Sequence, residues 1–329
     1  MKFMFISSII ALVAAFACTS QAGSTADNQG PTADTVSADR PTFDADSAFA
    51  YVKAQTDFGP RVAGSEGNRQ CREWIAAKLR QFGADTVEMQ AADLSAFNGD
   101  KFKAVNIFAR FNKSATKRIL LLAHYDTRPW ADEDPDPANH TKPIPGANDG
   151  GSGVAVMLEV ARQLSITPVE IGVDMLFVDA EDYGDSHSGD ESSWALGTQY
   201  WVNHMPYDKN ELPAFGILLD IVGGVNAKFY REYHSELYAR AINTKVWTAA
   251  RSCGFGQQFV NSQAGAVTDD HIHINRAGIP CIDIIECNNP STGSFPPTWH
   301  TLADDINSID RQSLLSVGST VMQVIRNEK

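Results

Sequence analysis

Apolar residues recur at helical spacing through Phe43, Phe49, Tyr51 and Val52, and again through Trp74, Ile75, Leu79 and Phe82. This periodicity predicts two amphipathic helices around the Gly59-Pro60 and Gly64 turns. Further along, Ile119 to Ala123, Met175 to Val178, Phe215 to Leu219 and Ile279 to Ile285 are short apolar runs of strand length. Helix-like segments at Val154 to Leu164, Leu237 to Ala250 and Leu314 to Ile325 lie between or after them. Alternation of this kind predicts an α/β fold, a three-layer sandwich around a central mixed, mainly parallel sheet. No repeat and no second linker interrupts it, so one domain is expected from residue 42 to residue 329.

The start of the chain has a different character. Lys2 precedes an apolar stretch, Phe3 to Ala17, that is too short to span a bilayer comfortably and ends in the small residues of an export signal. The order Ala15-Phe16-Ala17-Cys18 resembles a bacterial lipoprotein processing site, which implies an exported protein, periplasmic or outer-membrane-associated, anchored through a lipid on Cys18. Cleavage after Ala17 or Ala22 without lipidation is the plainer alternative. Residues 18–41 are mostly Ser, Thr, Ala, Asp, Gly and Pro, too polar to bury a core, and are expected to form a flexible tether.

Composition narrows the partners. Forty Asp and Glu against 27 Lys and Arg leave a formal charge of −13, which disfavours nucleic acid, and membrane contact is expected only through the lipid. Five scattered cysteines make no disulfide framework and no Cys-x-x-Cys zinc site; their pairing stays open. His140, His187, His204, His234, His271 and His273 show no metal-binding spacing, and the acidic run Asp182, Asp185, Asp190, Glu191 reads as a solvated loop.

In a parallel sheet, ligands bind beyond the carboxyl ends of the strands. Those ends are expected to carry His124-Tyr125-Asp126, Asp179-Ala180-Glu181-Asp182, Asp220 and Asp283. Any one of these could be a helix cap; together they suggest a site. Catalytic zinc takes three ligands from His, Asp and Glu and keeps one position open. Asp149, in the Gly-rich turn Gly146 to Gly153, is one candidate ligand and His300 another. Glu181-Asp182 supplies two adjacent carboxylates, one for metal and one for the reacting group.

In these blocks, and in Thr268-Asp269-Asp270-His271, Gly278-Ile279-Pro280 and Trp299-His300-Thr301, residues 43 to 327 resemble the M28 zinc aminopeptidase-like family. Within it they are most similar to the bacterial members of the animal-type glutaminyl-peptide cyclotransferases. That resemblance implies one zinc ion per chain on Asp149, Asp182 and His300, and a substrate class of peptides and proteins with N-terminal Gln. It implies Glu181, Asp220 and Asp269 as catalytic residues, with Glu181 the proton shuttle. Trp194, Trp299 and Phe295 would wall the substrate pocket, and Asp283 would stand behind Asp220 and Asp269 on the substrate side of the site. The two-metal aminopeptidases of the same fold are the alternative, because His124 and Asp220 match their second zinc site. A binding module that has lost catalysis is disfavoured, since every expected ligand and Glu181 are present.

Overall fold

The computed structural model describes residues 42–208 and 211–329; the expected signal at 1–17 and tether at 18–41 lie outside them. Helix α1 (Ala45–Thr56) is capped by Asp44, whose carboxylate accepts the N–H groups of Asp46 and Ser47, and α2 (Glu66–Gln81) is capped by Ser65. The chain continues as β1 (Thr86–Ser95), β2 (Lys101–Phe111), β3 (Arg118–His124), α3 (Ser152–Ile166), β4 (Gly172–Val178) and α4 (Leu196–Val202). There follow β5 (Gly216–Asp220), β6 (Phe229–Arg231), α5 (Tyr233–Ser252), β7 (Phe259–Gln263), α6 (Asp270–Arg276), β8 (Cys281–Ile285) and α7 (Arg311–Asn327).

Six strands form one sheet in the order β1-β2-β4-β3-β5-β8. The four apolar runs are its parallel members β3, β4, β5 and β8, while β1 and β2 form an antiparallel hairpin joined to β4. The sheet is therefore mixed and mainly parallel, as the patterning predicts. The hairpin escapes that reading because β1 is an edge strand with most of its residues partly or fully exposed.

Alternating side chains divide the core between the two faces of the sheet. Ile119, Leu121 and Ala123 pack with Met175, Ile217 and Ile282 under α1, α3, α5 and α7. Leu120, Leu122 and Leu218 pack on the other face against Trp201 of α4 and Ile274 of α6. Both faces are thus covered, giving three layers. Truncating a residue such as Leu121, fully buried in the central strand, is expected to cost about 2–5 kcal/mol.

One strand-end assignment is corrected. Asp283 sits in the middle of β8, opposite Leu218, because β8 extends two residues further to Ile285. Its carboxyl is fully buried beneath the crevice and does not line the crevice wall.

Candidate metal centre and active-site pocket

The carboxyl ends of β3, β4 and β5 deliver the polar groups. His124 closes β3, Asp220 closes β5, and Glu181-Asp182 follow β4. Asp126 fixes the pair after β4: its two carboxylate oxygens accept the N–H groups of Glu181 and Asp182, each at 3.1 Å. Asp149 is held by Asp304, whose carboxylate accepts the N–H groups of Asn148 and Asp149 at 2.9 and 3.0 Å. The turn needs glycine. A Cβ on Gly150 would stand 2.2 Å from the Asp126 carbonyl oxygen, and its φ of +83° suits no other residue well.

Strain concentrates here. Ala180, Ile221 and His300 have φ of +55°, +49° and +54°. They adjoin Glu181 and Asp220 or carry the imidazole itself, at about 1–2 kcal/mol each for a left-handed non-glycine residue. A β-branched residue such as Ile221 tolerates that conformation poorly, and buried packing holds it there.

Asp149, Asp182 and His300, all buried, bring one ligand atom each within 4.8 Å of the others. His300 Nε2 lies 3.3 Å from Asp182 Oδ1 and 3.7 Å from Asp149 Oδ2. Asp182 Oδ2 is buried with no hydrogen-bond partner, an acceptor that a cation would satisfy. Two carboxylates and an imidazole are a suitable donor set for zinc. Behind them stand two residues that the sequence left unassigned. Asp132 faces His300 Nδ1 at 3.2 Å, and Arg128 donates to both oxygens of Asp132 and to Asp182 Oδ1.

A second group, His124, Asp149 and Asp220, shares Asp149 with the first. His124 Nε2 is 3.2 Å from Asp149 Oδ1 and 3.1 Å from Asp220 Oδ1. The residue types of a two-metal centre are therefore juxtaposed. A third group, Asp269, His271 and Asp283, is also buried, so His271 does approach carboxylates that its spacing did not reveal.

A pocket of about 410 Å³ opens over these residues, lined by Asp149, Glu181, Asp182, Asp220, Asp269 and His300 and by Trp194, Phe295 and Trp299. The aromatic rings form a wall: Phe295 stacks on Trp299 at 4.4 Å, Trp299 on His300 at 3.6 Å, and Trp194 lies nearly parallel to His300 at 6.3 Å. All three are only partly buried, which separates them from core aromatics such as Trp201. Asp185 and Glu191 line the mouth on a largely exposed loop.

Electrostatics sorts the acids. Burial raises Glu181 well above the usual carboxylate range, and the charge of Asp269 pushes it further. Asp269 is raised by burial and then by Asp220. Burial also opposes ionisation of Asp182, but His300 and Arg128 outweigh it and keep Asp182 below its ordinary value. Adjacent residues thus differ: Asp182 is ionised beside cations, and Glu181 is poised to carry a proton.

A family model for peptidase family M28 matches residues 106–325, and the chain belongs to that family. It is similar to the glutaminyl cyclase of Bacteroides thetaiotaomicron solved with N-acetylhistamine, with 49% identity, 88% of this chain and 100% of that chain covered, and a TM-score of 0.84. The glutaminyl-peptide cyclotransferase of Bos taurus is 24% identical over 79% of this chain and 77% of its own length. Aminopeptidase YwaD of Bacillus subtilis (strain 168) is 29% identical over 64% of this chain, which spans only 42% of that protein.

Proposed function

We propose that this chain is a zinc-dependent glutaminyl-peptide cyclotransferase that closes the N-terminal Gln of peptides and proteins to pyroglutamate and releases ammonia. The observation that carries the reading is the pairing of Glu181 with Asp269. They are two buried acids in one pocket beside the Asp149, Asp182 and His300 group, with Asp269 raising the proton affinity of Glu181. Likeness to the Bacteroides cyclase across the whole of that chain supports it.

An N-terminal Gln carries its amine a few bonds from its own γ-carbonyl carbon, so ring closure needs alignment and proton transfer, with no water nucleophile. Zinc, one per chain, held by Asp149, Asp182 and His300, would polarise the γ-carbonyl oxygen. Glu181 takes a proton from the attacking amine as the new N–C bond forms. It returns that proton to the γ-amide nitrogen as the old C–N bond breaks and ammonia leaves. Asp220 and Asp269 hold the amine, and Asp283 lies behind Asp269. The partly buried rings of Trp194, Phe295 and Trp299 enclose the side chain and exclude water that would divert the reaction to hydrolysis.

The two-metal aminopeptidase is the second reading, favoured by the His124, Asp149 and Asp220 group. His124 Nε2 approaches both carboxylates there, as His300 Nε2 does in the first group. Incubation with a Gln-initiated peptide and with an aminopeptidase substrate, alongside metal analysis, decides between them. Ammonia release with one zinc per chain is expected; release of N-terminal residues with two zinc ions would reverse the assignment. Export and lipidation at Cys18 complete the proposal.

A further inference from the structure

Glu232 lies outside the pocket wall, fully buried, at the start of α5. As the cap of that helix its Oε1 accepts the N–H of His234 at 2.8 Å, and its Oε2 accepts the N–H and hydroxyl of Ser235 at 2.6 and 2.8 Å. Helix capping asks no more of it. Yet the same carboxylate also reaches a distant part of the chain. Oε1 accepts the N–H of Val267 at 3.1 Å, and Oε2 lies 3.1 Å from His271 Nε2, which donates to it. Val267 and His271 stand two residues before and two residues after Asp269.

Asp269 needs such control because its two oxygens have different tasks. Oδ1 accepts the N–H of Asp270 at 2.5 Å and caps α6. Oδ2 is buried without a hydrogen-bond partner, on a residue that lines the pocket. Displacement of the 267–271 segment would move that free oxygen relative to the pocket. The opposite side of His271 is backed by Asp283, whose Oδ2 lies 4.0 Å from Nδ1, so the ring is confined between two carboxyl groups. Asp283 in turn is pinned through its N–H to Ser235 Oγ at 2.9 Å, which returns the chain of contacts to the α5 cap.

We infer that Glu232 is a positioning residue for the reaction: by gripping Val267 and His271 it holds Asp269 with Oδ2 toward the substrate amine. This rests on the cyclotransferase reading and extends it to a residue that touches neither substrate nor metal. An isosteric amide at 232 lacks one of the two acceptor oxygens and cannot serve all five donors, so one arm of the grip must fail.

The test is steady-state kinetics on a Gln-initiated peptide for the wild type, Glu232→Gln, Asp269→Asn and the double variant, with zinc content and thermal melts recorded for each. Glu232→Gln is expected to lower kcat about 10- to 100-fold with KM little changed and zinc retained, because misplacement of one reacting group on the ångström scale costs of that order. In the Asp269→Asn background the same substitution should cost less than about twofold, since the residue it positions has already been removed. An equal loss in both backgrounds, or no loss in either, overturns the inference. If Glu232→Gln does not fold, His271→Asn opens one arm only and is put through the same cycle with the same criteria. Wild-type protein inactive on the Gln peptide would overturn the function and this role together; active wild type with unaffected variants would overturn this role alone.

Discussion

Asp132 lies 3.2 Å behind His300, on the ring nitrogen opposite the one that faces Asp149 and Asp182. A carboxylate in that position orients the imidazole and raises its basicity toward a metal. Asp132 is itself held by a two-point contact with Arg128; burial opposes its ionisation, but His300 first and Arg128 second outweigh it and hold the carboxyl well below the ordinary range. Asp132→Asn is therefore expected to weaken zinc affinity about 10- to 100-fold, as measured by competition with a chelator. An unchanged affinity would mean that His300 is oriented by its stacking on Trp299 alone.

Glu181 and Asp182 are adjacent yet oppositely disposed, and substitution should separate them. Glu181→Gln leaves Asp149, Asp182 and His300 in place, so zinc should stay bound while kcat falls by about 10²- to 10⁴-fold with loss of the proton shuttle. Asp182→Ala should lose the metal as well as the activity. Zinc retained in Asp182→Ala and lost in Glu181→Gln would reverse the roles of the pair.

Much of this site could be read before folding was considered, for a physical reason. Asp149, Glu181, Asp182, Asp220 and His300 sit in short polar blocks directly after apolar runs or glycines, and a parallel sheet gathers such ends on one side. Arg128, Asp132 and Glu232 carry no comparable mark. Each is a charged residue in a connecting segment, indistinguishable in sequence from a solvated one, and only tertiary packing buries it against its partner. Asp283 misled for the converse reason: a carboxylate inside an apolar run looks like a strand end, whereas β8 continues past it to Ile285. The β1–β2 hairpin is not legible in the pattern because its outer strand is too exposed to alternate cleanly.

The proposed lipid anchor at Cys18 carries its own prediction. Each buried acyl methylene contributes about 0.8 kcal/mol, so several chains anchor a protein firmly while an acidic catalytic domain stays in solution. Cys18→Ser should move the protein from the membrane to the soluble fraction without altering kcat or KM on a small peptide. Mass spectrometry of a mature, unmodified chain beginning at Gly23 would remove the lipid anchor and leave export and catalysis standing.

The last expectation concerns zinc and pH. Burial first, and the charge of Asp182 second, push Asp149 up to about 6 in the metal-free protein. Burial acts against protonation of His300, but attraction to Asp182 and Asp132 outweighs it and lifts the imidazole to about 9. Zinc needs the carboxylate ionised and the imidazole neutral, so protons compete with it at both groups. Affinity should therefore rise by up to about tenfold per pH unit between the two values, and more steeply below the lower one, where a second proton must leave. The same shift in His300 has a stability consequence of definite sign. Its raised pKa gives the metal-free protein stability that is fully present below the ordinary imidazole value of 6.5 and is lost as pH rises through about 9. The gain in melting temperature on adding zinc should accordingly grow from pH 6.5 to 9. Chelator competition and thermal melts across that range check both statements, and an affinity independent of pH would show that His300 is already neutral before the metal arrives.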